Sequence, residues 1–430
     1  MTALILFLAV FLILSILLRV PVPFAMGWAT LSVFFFVDLP FINIAQSSFS
    51  ALNEFTLLAV PFFLWAGALM ENSGISKSLL DMIDAFIGRI RGSTGFVAIV
   101  GSTAFGALSG SAMATIAAIG KIMVPEMVRK GYSKNYSSAL IASTCFLGIM
   151  IPPSIPGIFY ALAADQKITQ VWLSTIVPGL LFGIGYIIIN YIKQKDKEEI
   201  TQKLTFSEYI INTGKKTGQA YAALIMPLII FGGIYGGIFT PTEAGAVSAG
   251  YGVIYLLIKR FFKKEKNENT LWDIMMDTAS LTGVVSILVI FSSVSGRAIT
   301  LSGASDQLAS FVTDNVNSPI LFLILVNLLF LLMGTFLDIN SSILLMTPLL
   351  LPSALQMGID PIHFGAISLV NLSVGYMTPP FATGIFMSCK IAGAEFAGVV
   401  KEIFPFVLVG IIVIAITTYL PFTAMFLPNL

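Results

Sequence analysis

Charge and histidine are scarce in this chain. Charged residues make up 10% of its 430 positions, against about 25% in an average soluble domain. Hydrophobic residues make up 57%, and mean hydropathy is +0.93, so no soluble shape has enough polar residues to cover its surface. The composition is that of a polytopic membrane protein. A single histidine, His363, argues against His-based metal sites and catalytic triads. Two cysteines, Cys145 and Cys389, both in apolar surroundings, offer neither a disulfide framework nor a thiolate metal site. Lys plus Arg number 23 against 22 Asp plus Glu, a net charge of +1, which leaves no footprint for nucleic acid.

Long apolar runs are present instead. Runs suited to crossing a hydrocarbon core of about 30 Å cover 2–18, 20–37, 55–70, 135–165, 171–192, 217–239, 241–258, 281–300, 364–391 and 402–427. Leu4–Leu18 lacks a basic n-region, and apolar sequence resumes after Arg19, so it reads as a first span and not as a signal peptide. Two more stretches, 93–128 and 319–357, carry a polar interruption near the middle. The basic residues cluster at Arg19, Arg89/Arg91, Arg129/Lys130/Lys134, Lys193 to Lys216 and Lys259 to Lys266, which the positive-inside rule places in the cytoplasm. That fits if 93–128 returns to the cytoplasmic face and 319–357 to the outer face. A re-entrant hairpin or a pair of complete spans would satisfy the charges. Arms of about 16–18 residues, roughly 24–27 Å long, favour hairpins. Both termini then lie outside.

The chain also repeats itself. GIMIPPSIPGIF (148–159) aligns with GYMTPPFATGIF (375–386) at an offset of 227, matching at seven of twelve positions. Pro125 aligns with Pro352 and Pro178 with Pro405, while SGISKSLL (73–80) resembles SGASDQLA (302–309). Five spans separate the two hairpins, an odd number, so the copies are inverted. Inverted repeats with broken helices meeting near the midplane mark secondary transporters. Four segments result: N-terminal scaffold helices (1–54), a first repeat (55–192), a cytoplasmic segment with linking helices (193–270), and a second repeat (271–430). Broken helices fall at 135–165 and 364–391. The segments 79–90 and 271–281 read as interfacial amphipathic helices, counterparts in the two copies.

The polar interruptions carry the chemistry. GALSGSAMAT (106–115) bends the first hairpin and IPPS (151–154) breaks the first long helix; TFLDINSS (335–342) and GYMTPP (375–380) do the same in the second copy. Proline has no amide hydrogen and frees upstream carbonyls, and free backbone is tolerated at membrane depth only where it faces protein or a cavity. Convergent carbonyl and hydroxyl oxygens suit a hard monovalent cation, and helix N-termini suit an anion. Gly-Ser and Pro-Pro that merely kink packed helices are the plainer reading. Asp338, alone in an apolar stretch, is functional by default or else caps the return helix, as Asn340 also could. Lys121 and Lys390 snorkel toward the cytoplasm. Arg297 meets an anion or caps carbonyls. His363 reads as loop surface, and TPTEAG (240–245) as a capping box opening a helix.

Together, FTPTEAGAVSAG (239–250), SGSAMATIAAIGKIMVPEM (109–127) and the two Pro-Pro breaks resemble the large membrane subunit of tripartite ATP-independent periplasmic (TRAP) transporters, over nearly the full length. No fused small subunit is expected, since the chain opens on the large-subunit-like segment. The resemblance implies an all-α, inverted-repeat elevator fold similar to divalent-anion/sodium symporters, with about ten spans and two hairpins. It implies uptake of an organic acid, of the sialic acid or C4-dicarboxylate class, across a bacterial inner membrane, driven by two or more Na⁺. A small four-helix membrane subunit and a periplasmic binding protein are the implied partners. One sodium site would use Ser109, Gly110, Ser111, Ile151 and Pro152. The other would use Asp338, Asn340, Ser341, Gly375, Met377 and Thr378. Substrate would lie near Ser111, Ser154 and Asp338. Competing readings are a stand-alone proton- or sodium-coupled symporter, a membrane scaffold, and an intramembrane hydrolase pairing Ser111 with Lys121.

Overall fold

The computed structural model describes residues 2–88, 90, 92–194, 206–263, 269–316, 318–379 and 382–430, and these are helical with connecting turns. The basic residues Arg89, Arg91, Lys195, Lys197, Lys203, Lys264 and Lys266, and Pro380 of the second break, lie outside the described residues. The N-terminal part comprises α1 (Thr2–Leu12), extended by a π-helical turn Ile13–Leu17, then α2 (Val22–Val37) and α3 (Ile42–Leu52). The first repeat runs α4 (Ala59–Asn72), α5 (Ile75–Ile87), α6 (Ser93–Ser109), α7 (Ala112–Arg129), α8 (Lys134–Thr144), α9 (Leu147–Met150), α10 (Ile155–Ala163) and α11 (Ile168–Gln194). Linking helices α12 (Phe206–Gln219), α13 (Tyr221–Pro227), α14 (Gly233–Tyr235) and α15 (Pro241–Lys263) follow. The second repeat runs α16 (Leu271–Leu301), α17 (Ala304–Asn315), α18 (Pro319–Phe336), α19 (Ile339–Gln356), α20 (Pro361–Tyr376), α21 (Thr383–Ala392), α22 (Phe396–Tyr419) and the short α23 (Phe422–Met425).

Six described helices are long and apolar enough to cross a membrane, or up to eight if each of two bent pairs is one span. The arms of the second hairpin are among the six, while α1 with its extension, α2 and α6 fall just short of that length. This is an all-α polytopic architecture. Lys134–Met150 and Ile155–Ala163 meet at 49° across the IPPS break. The opening of α15 follows its sequence: the Thr240 amide donates to Glu243 Oε2 (2.8 Å), and the Glu243 amide donates to Thr240 Oγ1 (3.3 Å).

The two copies correspond element by element. Helix α8 starts at Lys134 and α20 at Pro361, 227 positions apart. Helices α5 and α17 each begin after a left-handed glycine, Gly74 (φ 71°) and Gly303 (φ 67°), where an L side chain would be strained. This corrects the expected pairing of 79–90 with 271–281. Residues 271–281 form the first turns of the 31-residue α16, opened by a capping box between Thr270 and Asp273. No Gly or Pro interrupts Leu271–Thr282, so nothing separates an interfacial helix from the span. The true counterpart of α5 is α17, as the SGISKSLL/SGASDQLA match indicates. A second correction concerns His363. It is 5% exposed in the first turn of α20, with Nε2 2.8 Å from the Thr417 carbonyl; Asp360 caps the helix and draws the histidine out of the loop.

The copies interlock crosswise: α10 of the first packs on α19 of the second, and α21 of the second packs on α7 and α8 of the first. Within each copy a glycine pair brings hairpin and broken helix into backbone contact. A Cβ added at Gly148 would lie 2.0 Å from Gly106 Cα, and one at Gly375 would lie 2.7 Å from Gly334 Cα. Gly148→Val should therefore force α6 and α9 apart and cost about 3 kcal/mol or more. Gly183→Ala, where nothing lies within 4 Å, should be neutral or slightly stabilising. Thermal unfolding of the two purified variants checks the contrast; equal midpoints would show that the glycine contact is dispensable.

Candidate functional site

In each copy the backbone of the hairpin comes close to the backbone around the helix break. In the first copy, Gly110 sits in the left-handed region (φ 61°) and turns the chain between α6 and α7. The position a Cβ would take there is 3.3 Å from the Pro153 carbonyl oxygen, which puts the bend against the break. Ser111 caps α7 by accepting from the Ala114 amide, and Ser154 caps α10 by accepting from the Gly157 amide (3.1 Å). Ser109 Oγ makes long contacts to Gly106 O (3.4 Å) and Ser111 O (3.3 Å). Neighbouring side chains tie off the carbonyls flanking the break: Thr175 donates to Met150 O (2.8 Å) and Trp172 to Ser154 O (2.9 Å). Between them, the carbonyls of Ile151, Pro152 and Pro153 accept no hydrogen bond among the described residues.

In the second copy, Asp338 caps α19. Its Oδ1 accepts from the amides of Asn340 (3.0 Å) and Ser341 (3.1 Å), and its Oδ2 accepts from the Ser341 hydroxyl. Just past the end of α20, the Thr378 amide donates to Gly375 O (2.9 Å) and its hydroxyl to Val374 O (2.7 Å). The Gly375 carbonyl is therefore already engaged. Met377 is fully buried, and its sulfur accepts from Tyr186 of α11 (3.6 Å). Tyr186 also packs on Phe146 of the first broken helix, ring centroids 6.3 Å apart, so one side chain touches both broken helices. No hydrogen bond among the described residues joins Asp338 to Ser111 or Ser154.

Sequence reasoning named Asn340 and missed the other buried oxygens of its region. Asn340 Oδ1, Ser342 Oγ, Asn371 Oδ1 and Ser373 Oγ are buried and make no hydrogen bond among the described residues. All four lie on the second bend or on the α20 turns leading to its break. A buried polar atom without a partner is costly, which makes this cluster the outstanding feature of the region. The glycine pairs were also missed, although Gly148 and Gly375 stand in the aligned motif. One donor position is matched between the copies. Thr144 donates to Ser102 (3.1 Å), and Asn371, at the same position of the second copy, donates its Nδ2 to Asn327 (2.8 Å) while its own Oδ1 stays unpartnered. Lys121 and Lys390 are exposed.

With this geometry in view, the chain can be set beside known proteins. Residues 8–423 match the family model described as tripartite ATP-independent periplasmic transporter, DctM component. The chain belongs to the DctM family. The "C4-dicarboxylate TRAP transporter large permease protein DctM" of Pseudomonas aeruginosa is 33% identical over 90% of this chain and 89% of its own. The "Sialic acid TRAP transporter large permease protein SiaM" of Vibrio cholerae is 32% identical over 95% of each. The "Isethionate TRAP transporter permease protein DctMQ" of Oleidesulfovibrio alaskensis is 34% identical over 96% of this chain, which spans 64% of that longer protein. The solved YdaH transporter of Alcanivorax borkumensis shares the fold, with a TM-score of 0.61 at 14% identity over 89% of this chain and 88% of its own. MtrF of Neisseria gonorrhoeae shares it too, at a TM-score of 0.57 and 14% identity over 88% and 84%.

The contrast between matched and orphaned oxygens gives a test. Thr144→Val removes a satisfied hydroxyl and takes from Ser102 Oγ the donor it accepts from, so it should lower stability by about 1–3 kcal/mol, with or without sodium. Ser373→Ala removes an orphaned hydroxyl and should leave sodium-free stability unchanged or improved. It should shrink any rise in the melting midpoint when sodium replaces choline. An equal loss of stability from both substitutions would mean that Ser373 is an ordinary packed serine.

Proposed function

We propose that this DctM-family chain is the large permease of a TRAP system that takes up an organic acid with sodium as the coupling ion. A four-helix small subunit braces it in the bacterial inner membrane, and a periplasmic binding protein delivers the acid; the names of the relatives support a three-part assembly and acids as cargo. Both termini face the periplasm. The observation that carries the sodium reading is the pairing of each bend with a break, lined by neutral oxygens. In the first pair these are the carbonyls of Ile151 and Pro152 with Ser109, Gly110 and Ser111. In the second they are Asn340, Ser341, Met377 and Thr378, with Asp338 as the one full charge and Gly375 fixing the approach. Neutral carbonyls and hydroxyls in a ring suit a weakly charged, easily dehydrated cation. Proton coupling would call for more titratable groups than one carboxylate.

The acid lies between the two pairs, near Ser111, Ser154 and Asp338. Alternating access follows an elevator motion, in which the interlocked unit of α6–α11 and α18–α22 slides along the scaffold helices. The cross-packed hairpins support this reading, because they bind the two copies into one body. Hydrolysis by Ser111 and Lys121 finds no support in the geometry. Ser111 Oγ is occupied in capping α7, and exposed Lys121 lies more than two turns along the same helix.

Uptake into proteoliposomes containing the complete complex tests the coupling. Thr378→Val keeps the shape and removes one oxygen, worth about 1 kcal/mol, so the sodium concentration for half-maximal uptake should rise roughly fivefold. Asp338→Asn retains a capping side chain but removes the charge, and uptake should fall below about a tenth of wild type. Ser111→Ala should weaken uptake more mildly. Uptake that persists with choline in place of sodium, yet collapses when the pH gradient is dissipated, would overturn sodium coupling.

A further inference from the structure

A cavity of about 710 Å³ is lined by none of the residues assigned to the bends and breaks. One wall is scaffold: Asn43, Gln46, Ser47 and Ser50 of α3, with Ser293, Arg297 and Thr300 of α16. The other wall is formed by the end of α10 and by Leu344 and Pro348 of α19. The orientation set by the basic residues places it at the outer face, where α10 and α16 end. At its floor the Ser292 hydroxyl donates to the Leu344 carbonyl (2.6 Å), which joins the two walls.

The polarity of this cavity is built from helical spacing. On α3, positions 43, 46, 47 and 50 fall on one face, so an eleven-residue helix turns a row of amides and hydroxyls toward the cavity. On α16, positions 293, 297 and 300 do the same in a helix that is otherwise mostly apolar. Arg297 is exposed and forms no ion pair and no hydrogen bond among the described residues. A guanidinium offers a planar fork of donors matched to a carboxylate or sulfonate. Glu54 and Asp165 complete the lining, so one cation stands against two carboxylates. A dianion entering here would gain one partner and meet two like charges. A monoanion with hydroxyl groups at its other end would place the acid on Arg297 and its donors toward Glu54, Asp165 and the amides of α3.

We infer that this outer cavity is a landing site where Arg297 receives the acid group, and that its charge pattern selects hydroxylated monoanions over dicarboxylate dianions. The inference rests on the uptake reading above and narrows its substrate class. The volume falls in the range of small-molecule sites, about 300–1,000 Å³, and accommodates a sugar acid. Arg297 is a binding residue at entry, distinct from the oxygens at the bends and breaks.

Equilibrium binding and uptake are measured separately so that the two readings can fail independently. Labelled N-acetylneuraminate, gluconate and succinate are titrated onto the purified full chain in nanodiscs. At least one of the hydroxylated monoanions should bind about tenfold or more tightly than succinate. Arg297→Gln should weaken its binding by about tenfold, and Arg297→Lys should recover part of the loss. Glu54→Gln combined with Asp165→Asn should narrow the preference over succinate. Unchanged binding in Arg297→Gln, tighter binding of succinate than of either sugar acid, or binding of none of the three would overturn the inference. Sodium dependence of uptake, read in parallel, judges the coupling alone: loss of sodium dependence with an intact Arg297 effect sinks the coupling and leaves the landing site standing.

Discussion

The structure depends on a backbone problem and its local solution. A helix that stops in the middle of a membrane leaves amides and carbonyls with no water to satisfy them. This chain stops its helices at the two bends and two breaks, and at each it brings another interrupted backbone alongside. The glycine pairs Gly106–Gly148 and Gly334–Gly375 make that approach possible, because any side chain at these positions would hold the helices apart. Hydroxyl and carboxylate caps from Ser111, Ser154 and Asp338 then satisfy the new helix starts. Capping, glycine contact and crosswise packing form one device, used twice.

The two uses are not equivalent. In the first copy, side chains from α11 close off the carbonyls on either side of the break, and Cys145–Phe146 adds a second irregularity between α8 and α9. In the second, α20 runs unbroken for sixteen residues, and four buried oxygens around its end remain unpartnered. Duplication gave the two halves the same backbone plan. The chemistry within each half then diverged, and Tyr186, between Phe146 and Met377, touches both.

Much of this was legible in the sequence because it rests on residues with few alternatives. Proline and glycine punctuate helices by covalent geometry, so the breaks and bends fell where IPPS, TPP and the Gly-Ser run stand, and the Thr240–Glu243 box opened α15 as read. What escaped depends on tertiary neighbours. His363 looks like loop surface beside Pro361 until Asp360 starts the helix one residue earlier and Thr417 comes within reach. Residues 271–281 are amphipathic enough to suggest an interfacial helix, yet amphipathicity cannot say whether a helix ends. The polar face of α3 belongs to a helix too short to announce itself by hydropathy. The orphaned oxygens of Ser342 and Ser373 are invisible in a sequence, where every serine looks equally able to find a partner.

Charge separates the roles of the three capping residues. A helix N-terminus carries roughly half a positive charge, which favours a nearby anion. At α7 and α10 the caps are the neutral hydroxyls of Ser111 and Ser154, so that field is left uncompensated. At α19 the cap is the carboxylate of Asp338, which accepts from two amides and a hydroxyl and cancels the field locally. An acid group is therefore better placed beside the N-termini of the first copy. A cation is better placed beside the second, where the carboxylate and the unpartnered oxygens gather. Under the sodium-coupled uptake proposed above, a cation next to Asp338 would lower the repulsion an incoming acid meets, so the two cargoes would favour each other's binding without touching. Such mutual dependence is what coupled transport requires, and in that proposal it would follow from where a duplicated fold placed one aspartate and left two serines.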